Sequence, residues 1–163
     1  MKRLYLSILC ITLGGCILAS PTKQTPVFMY PDLVITMQRG LCLGSCPVYT
    51  LTILGDGSVF CKTSLDPAVK SQYLLTLHWR QIRDLVTAIY KADFFSLRDA
   101  YRIPAYDLPS VILSITIDGR SKRIFHPGSL GCNGVNDFAP PQLCDLEEKI
   151  VEIVNTYQRI PCR

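Results

Sequence analysis

The chain has 163 residues, with 17 lysines and arginines against 13 aspartates and glutamates, a net formal charge of +4. That length suits one domain better than two. So small a charge gives no electrostatic case for a nucleic-acid binder, and no apolar run is long enough for a membrane-spanning helix.

Lys2 and Arg3 form a positive start, residues 4–13 an apolar stretch, and Leu13-Gly14-Gly15-Cys16 follows. Small residues before a cut suit a signal peptidase, and the cysteine after it supplies a thiol for lipid transfer. The order of features resembles a bacterial lipobox; the alternative is an ordinary signal peptide with an accidental Cys16. The resemblance implies a signal peptide over residues 1–15, a diacylglyceryl group on Cys16 and an acylated amine. Two or more chains hold a protein to a membrane where one holds it only marginally. Loss of Lys2 and Arg3 with the signal leaves a net charge of +2. Ile17 stands where an aspartate would resemble an inner-membrane retention signal, so the expected place is the outer membrane, facing the periplasm.

Residues 16–32 are then the lipidated cysteine and a tether. Pro21, Pro26 and Pro31 fall in it and no period does. Fifteen extended residues reach at most about 50 Å. The domain expected over residues 33–163 opens with a strand, in which Leu33, Ile35 and Met37 alternate with Val34, Thr36 and Gln38. After a turn over residues 40–47, Tyr49, Leu51 and Ile53 alternate with Thr50 and Thr52, and Gly55-Asp56-Gly57 signals a hairpin. A two-residue turn there would place Lys62 with Leu51 and Ile53. A three-residue loop with Gly57 left-handed places Val59 and Cys61 there, which buries apolar groups and is preferred. Ile82, Leu85, Val86 and Ile89 then recur at helical spacing, with Thr76 as a candidate N-cap and an end near Asp93. Beyond an irregular stretch, Val111, Leu113, Ile115 and Ile117 alternate, and Asp118-Gly119 turns the chain into a return strand around residues 122–126. Pro140 and Pro141 open a last helix with the stripe Leu143, Leu146, Ile150, Ile153 and Tyr157. The order is β, β-hairpin, α, β-hairpin, α. It predicts an α+β fold: an antiparallel sheet of about five strands with two helices packed on one face.

Of eight cysteines, Cys10 leaves with the signal and Cys16 takes lipid. The remaining six, Cys42, Cys46, Cys61, Cys132, Cys144 and Cys162, read as disulfides in an exported domain. Six cysteines allow fifteen connectivities, and the sequence does not choose among them. Loop closure favours Cys42 with Cys46, which are close neighbours, and Cys132 with Cys144, which bracket a Gly/Asn/Pro-rich loop. Cys61 with Cys162 is left, a long-loop bridge that would contribute about 3–5 kcal/mol in the chain-entropy picture.

The segment from Arg39 to Tyr49, with its C-x-G-x-C-P-x-Y core, resembles the start of the bacterial domain of unknown function 6438. Asp93-Phe94-Phe95-Ser96-Leu97, Asp107-Leu108-Pro109, Ile117-Asp118-Gly119 and the last helical stripe continue the likeness over residues 33–157. The family carries no assigned activity; its members look like exported or lipid-anchored proteins. Cys61, Cys132, Cys144 and Cys162, and a long loop over residues 127–141, depart from its pattern. The cysteines fit extra stapling, and the loop is a candidate contact surface.

The C-x₃-C-P spacing of Cys42 and Cys46 also occurs in thioredoxin-like copper-delivery proteins. There, soft thiolates select Cu(I), and His126 or His78 would supply a third ligand. That arrangement needs the second cysteine to open a helix, which lowers its pKa. Here Pro47 leads into a strand, so a structural disulfide is the stronger reading. A zinc site from Cys42, Cys46, Cys132 and Cys144 fits by count but not by compartment. His78 reads as a solvated or partly packed side chain. His126 has no nucleophile motif near it, and Asp107 reads as a turn residue. Glu147 and Glu148 point about 100° apart on a helix and read as a solvated face. No catalytic residue, metal or cofactor is assigned. The expectation is a non-enzymatic binding or interaction protein held to a membrane through Cys16, with an envelope protein or secreted enzyme as partner. The alternative is thiol-redox or copper handling by Cys42 and Cys46.

Overall fold

The computed structural model describes residues 30–41, 48–63, 68, 70–101, 108–128 and 139–155. Strands β1 (Val34–Arg39), β2 (Tyr49–Leu54), β3 (Ser58–Lys62) and β4 (Gln72–Thr76) come first, then helix α1 (Trp79–Lys91) and a 3₁₀ turn at Phe94–Ser96. Strands β5 (Ser110–Ile117) and β6 (Arg120–Pro127) and helix α2 (Pro141–Asn155) complete the order. The six strands form one sheet in the order β4-β3-β2-β1-β5-β6, every pair antiparallel.

Each strand alternates because its side chains alternate in hydropathy. Ile35 and Met37, Leu51 and Ile53, Val59 and Cys61, Leu113 and Ile115 face one side and are buried. Ile82, Leu85, Val86 and Ile89 of α1 pack on that side, as do Leu143, Leu146, Ile150 and Ile153 of α2, in one continuous core. The other face of the sheet is half-exposed along Thr36, Thr50, Thr52, Ser114 and Thr116. The expected α+β class and antiparallel sheet are therefore present, with six strands in place of about five.

The extra strand is β4. Val59 pairs with Leu75 while Phe60 pairs with Tyr73, so Leu74 is a surplus residue in the ladder. A bulge of this kind breaks the two-residue alternation by which a strand is read. With β4 extending to Thr76, the helix start also moves. His78, not Thr76, is the N-cap: its Nδ1 accepts from the Arg80 N–H at 3.3 Å, and Gln81 Oε1 accepts from the His78 N–H at 2.9 Å.

The first hairpin follows the three-residue loop, with Gly57 at φ +88° and the pairs Ile53–Val59 and Leu51–Cys61. In the second, Asp118 (φ 52°) and Gly119 (φ 68°) are both left-handed, a type I′ turn. The Asp32 carboxylate accepts from the Gly119 N–H at 2.8 Å, and the Tyr90 hydroxyl donates to Asp118, so α1 ends over this hairpin. α1 therefore crosses the strands from the β4 side toward β6. α2 runs back beside it, and Gln81 Nε2 reaches the Ile153 carbonyl at 3.5 Å. Among the described residues no helix is long and apolar enough to cross a membrane.

Candidate functional site

A row of side chains crosses the helix-covered face at the end of the sheet where β1 finishes. Tyr49 and Val111 both pair with Arg39, and His126 pairs with Val111. This is the row beyond Leu51, Met37, Leu113 and Ile124, and three of its four members are polar. Tyr49 is 8% exposed and His126 fully buried. The Arg39 guanidinium faces the Tyr49 hydroxyl, which can only accept from it, and Arg39 Nε is buried with no hydrogen-bond partner among the described residues. Burial holds the Tyr49 pKa above its ordinary 10.0; Arg39 opposes that shift and the Glu147 charge adds to it.

Glu147 reaches this row from α2. Its Oε1 lies 2.7 Å from His126 Nε2, and both side chains are wholly enclosed. The other ring nitrogen, Nδ1, lies 3.1 Å from the Pro127 carbonyl oxygen. That oxygen can only accept, so Nδ1 carries a hydrogen. One further proton is shared between Nε2 and the carboxylate. Whichever partner holds it, the pair as a whole is neutral, a form that tolerates burial. Both ring nitrogens are committed, so the imidazole has no free nitrogen with which to take a proton from a substrate. The pair fastens α2 to β6.

The expectation that Glu147 lies on a solvated face is therefore corrected. Glu147 follows Leu143 by four and precedes Ile150 by three, so helical geometry carries it into the apolar stripe. Glu148 is exposed. His126 likewise continues the inward positions of Lys122 and Ile124. The signal in the sequence is a polar residue standing in an apolar phase on each of two elements.

Of the six candidate half-cystines, Cys61 and Cys144 lie within the described residues, are buried and are disulfide-bonded. Cys42, Cys46, Cys132 and Cys162 lie outside them, as do Cys16, Asp107 and Tyr157. Strand β2 begins at Tyr49, so no helix starts just after Cys46 and Pro47. His78 is engaged as the cap of α1, at the end of the sheet away from His126. Among the described residues no three His, Cys, Asp or Glu side chains converge to hold a metal ion.

The two helices leave a solvent-open groove of about 390 Å³ between their outer faces. Ala88, Ala92 and Leu146 form its floor. Asp84 and Lys91 of α1 and Asp145 and Lys149 of α2 rim it.

Fold and site together define a class: a two-layer α+β domain, one open antiparallel sheet backed by two helices, the second of which a buried polar pair fastens to the sheet. Residues 33–154 match the model of the family described as domain of unknown function 6438, and the chain belongs to that family. No curated protein matches the chain.

Proposed function

We propose that the chain is a lipid-anchored protein of the cell envelope, cut before Cys16 and acylated there. On this reading it faces the periplasm from the outer membrane, and its domain is a non-enzymatic recognition module. The observation that carries the recognition reading is the groove between α1 and α2. Its apolar floor of two alanines and a leucine admits a chain segment closely, and its rim offers both signs of charge, a pattern that selects among protein surfaces. The partner class is a protein segment, from an envelope protein or a secreted enzyme. The row at Arg39, Tyr49, His126 and Glu147 supports the reading from the other side. The residues of acid–base type there are spent as struts.

Disulfides fit this role as staples. Pairing of Cys132 with Cys144 is supported by the first half of α2 lying over β6, where Glu147 meets His126. Pairing of Cys61 with Cys162 is supported by the far end of α2, which lies beside the start of α1 on the β4 side. Cys42 with Cys46 would close the connection between β1 and β2.

The test is a photo-crosslinking side chain placed in intact cells at Thr87, beside the groove, and at Thr52, on the opposite face of the sheet. A discrete protein adduct from Thr87 that Thr52 does not give is the expected result. Adducts from Thr52 alone, or from neither position, would refute the groove as the recognition surface.

A further inference from the structure

The start of α1 carries a surface cluster that the fold does not require. Trp79, the single tryptophan of the chain, is the first residue of the helix and is 50% exposed. The guanidinium carbons of Arg80 and Arg83 lie 5.3 and 5.2 Å from its ring centroid, and the His78 ring lies 5.6 Å away. A cation in the first turn faces the positive end of the helix dipole, and α1 has no acid there to offset it. Arg83 meets Asp84 at 3.7 Å, and Arg80 makes no ion pair among the described residues. An exposed indole flanked by two arginines, at a helix end where charge of that sign is unfavourable, is arranged for something outside the fold.

Its position indicates what. The tether joins the domain at Tyr30. A Cβ on Gly55 would stand 1.7 Å from the Tyr30 carbonyl oxygen, so Tyr30 lies against the β2–β3 loop. Two residues on, the Gly57 carbonyl accepts from the Leu77 N–H at 2.8 Å, and His78 and Trp79 follow directly. The chain entry and the cluster thus share one end of the sheet, opposite the row of His126.

We propose that Trp79, Arg80 and Arg83 form a membrane-surface contact, with the indole at headgroup level and the two guanidiniums on anionic lipid phosphates. Tryptophan is favoured at that depth because one end of its ring is apolar and the other donates, and arginines are drawn to an anionic leaflet. This inference rests on the reading of Cys16 as the anchor. On that reading about fifteen residues join the lipid to the domain, and a random chain of that length has a root-mean-square end-to-end distance of about 20 Å. The bilayer is then the anionic surface always within reach, and a weak contact suffices because the second attachment is intramolecular. The contact holds the domain in one orientation, with the row of Arg39, Tyr49 and His126 turned away from the bilayer.

The single tryptophan makes its own reporter. The full mature chain, with Cys16→Ser so that it carries no lipid, is titrated with vesicles of phosphatidylglycerol and phosphatidylethanolamine up to millimolar accessible lipid, about the effective concentration that a short linker supplies. The expected result is a blue shift of Trp79 emission, quenched by brominated acyl chains and lost at high salt or with pure phosphatidylcholine. The variant Arg80→Glu/Arg83→Glu should bind at least about tenfold more weakly with an unchanged melting temperature, since acids suit a helix start. No shift, or a shift indifferent to lipid charge, overturns the proposal. A response to a soluble acidic peptide but not to vesicles overturns it in favour of a protein partner. Mass spectrometry of Cys16 in the unaltered, envelope-expressed chain tests the anchor separately. Acylated Cys16 with a silent Trp79 removes the contact alone, and bare Cys16 with a responding Trp79 removes the anchor alone.

Discussion

At the scale of single residues, the polar row sets two measurable properties. Tyr49 holds its proton more tightly in the folded chain than in the unfolded one, chiefly because it is buried. A raised folded pKa contributes stability that is fully present below the ordinary value of 10.0 and lost as pH rises through the folded value. Thermal melts should therefore fall from about pH 10 upward, and Tyr49→Phe should flatten that fall. At neutral pH the same variant removes the hydroxyl that the Arg39 guanidinium faces and should cost about 1.5–3 kcal/mol, the range for a polar group paired with a charged one. The His126–Glu147 pair behaves differently. Removing one partner, as in Glu147→Ala, takes from His126 Nε2 its 2.7 Å contact in the core and should cost about 3–5 kcal/mol. His126→Leu/Glu147→Leu should recover much of that loss, read from urea midpoints. A double variant no more stable than the single one would show that the pair does more than fasten α2. Glu147 was legible in the sequence only by its phase. Residue type favours solvent for an acid, whereas its spacing from Leu143 and Ile150 favours the core. The inward-facing His126 decides between them, and that pairing spans two elements which no local pattern connects.

At the scale of elements, the strands with clean alternation were legible, together with both helices and both hairpin turns, because local periodicity and turn chemistry agree there. β4 was not. Its bulge at Leu74 spoils the alternation, and the sequence offers three consecutive apolar or aromatic residues, Tyr73, Leu74 and Leu75, with no period to read. Its register depends on β3, which is tertiary information. The two turns separate in the same way. Gly119 needs only its left-handed backbone, since a Cβ there meets nothing within 4 Å. Gly119→Ala should cost about 1 kcal/mol. Gly57 needs that backbone and also close approach, because a Cβ would lie 2.4 Å from the Leu77 carbonyl oxygen. Gly57→Ala should cost more than about 2 kcal/mol and lower the melting temperature well below that of Gly119→Ala. Equal losses would mean that the β4–α1 junction yields easily.

At the scale of the whole molecule, the two helices cross the sheet in opposite directions, and the ends of α2 fall near opposite edges. Non-reducing peptide mapping of the exported chain should recover Cys132–Cys144 and Cys61–Cys162 as separate bridges, with Cys42–Cys46 resistant to mild reductant. Free or selectively reducible thiols at Cys42 and Cys46 would instead favour the redox or copper alternative. The place of β1 has one more consequence, for the order of assembly. Of the described strands β1 is the first made, yet it lies in the middle of the sheet, between β2 and β5. One side of it is satisfied at once by the neighbouring hairpin. The other waits for β5, and the pairing of Ile35 with Ile115 closes across most of the domain. Contacts so distant in sequence slow folding. Until they form, β1 presents an unpaired edge of N–H and C=O groups, the template on which chains aggregate. A chain emerging from a membrane exporter would meet that interval in full, so chains shortened to end before Ser110 should accumulate as insoluble aggregates where the unshortened chain does not.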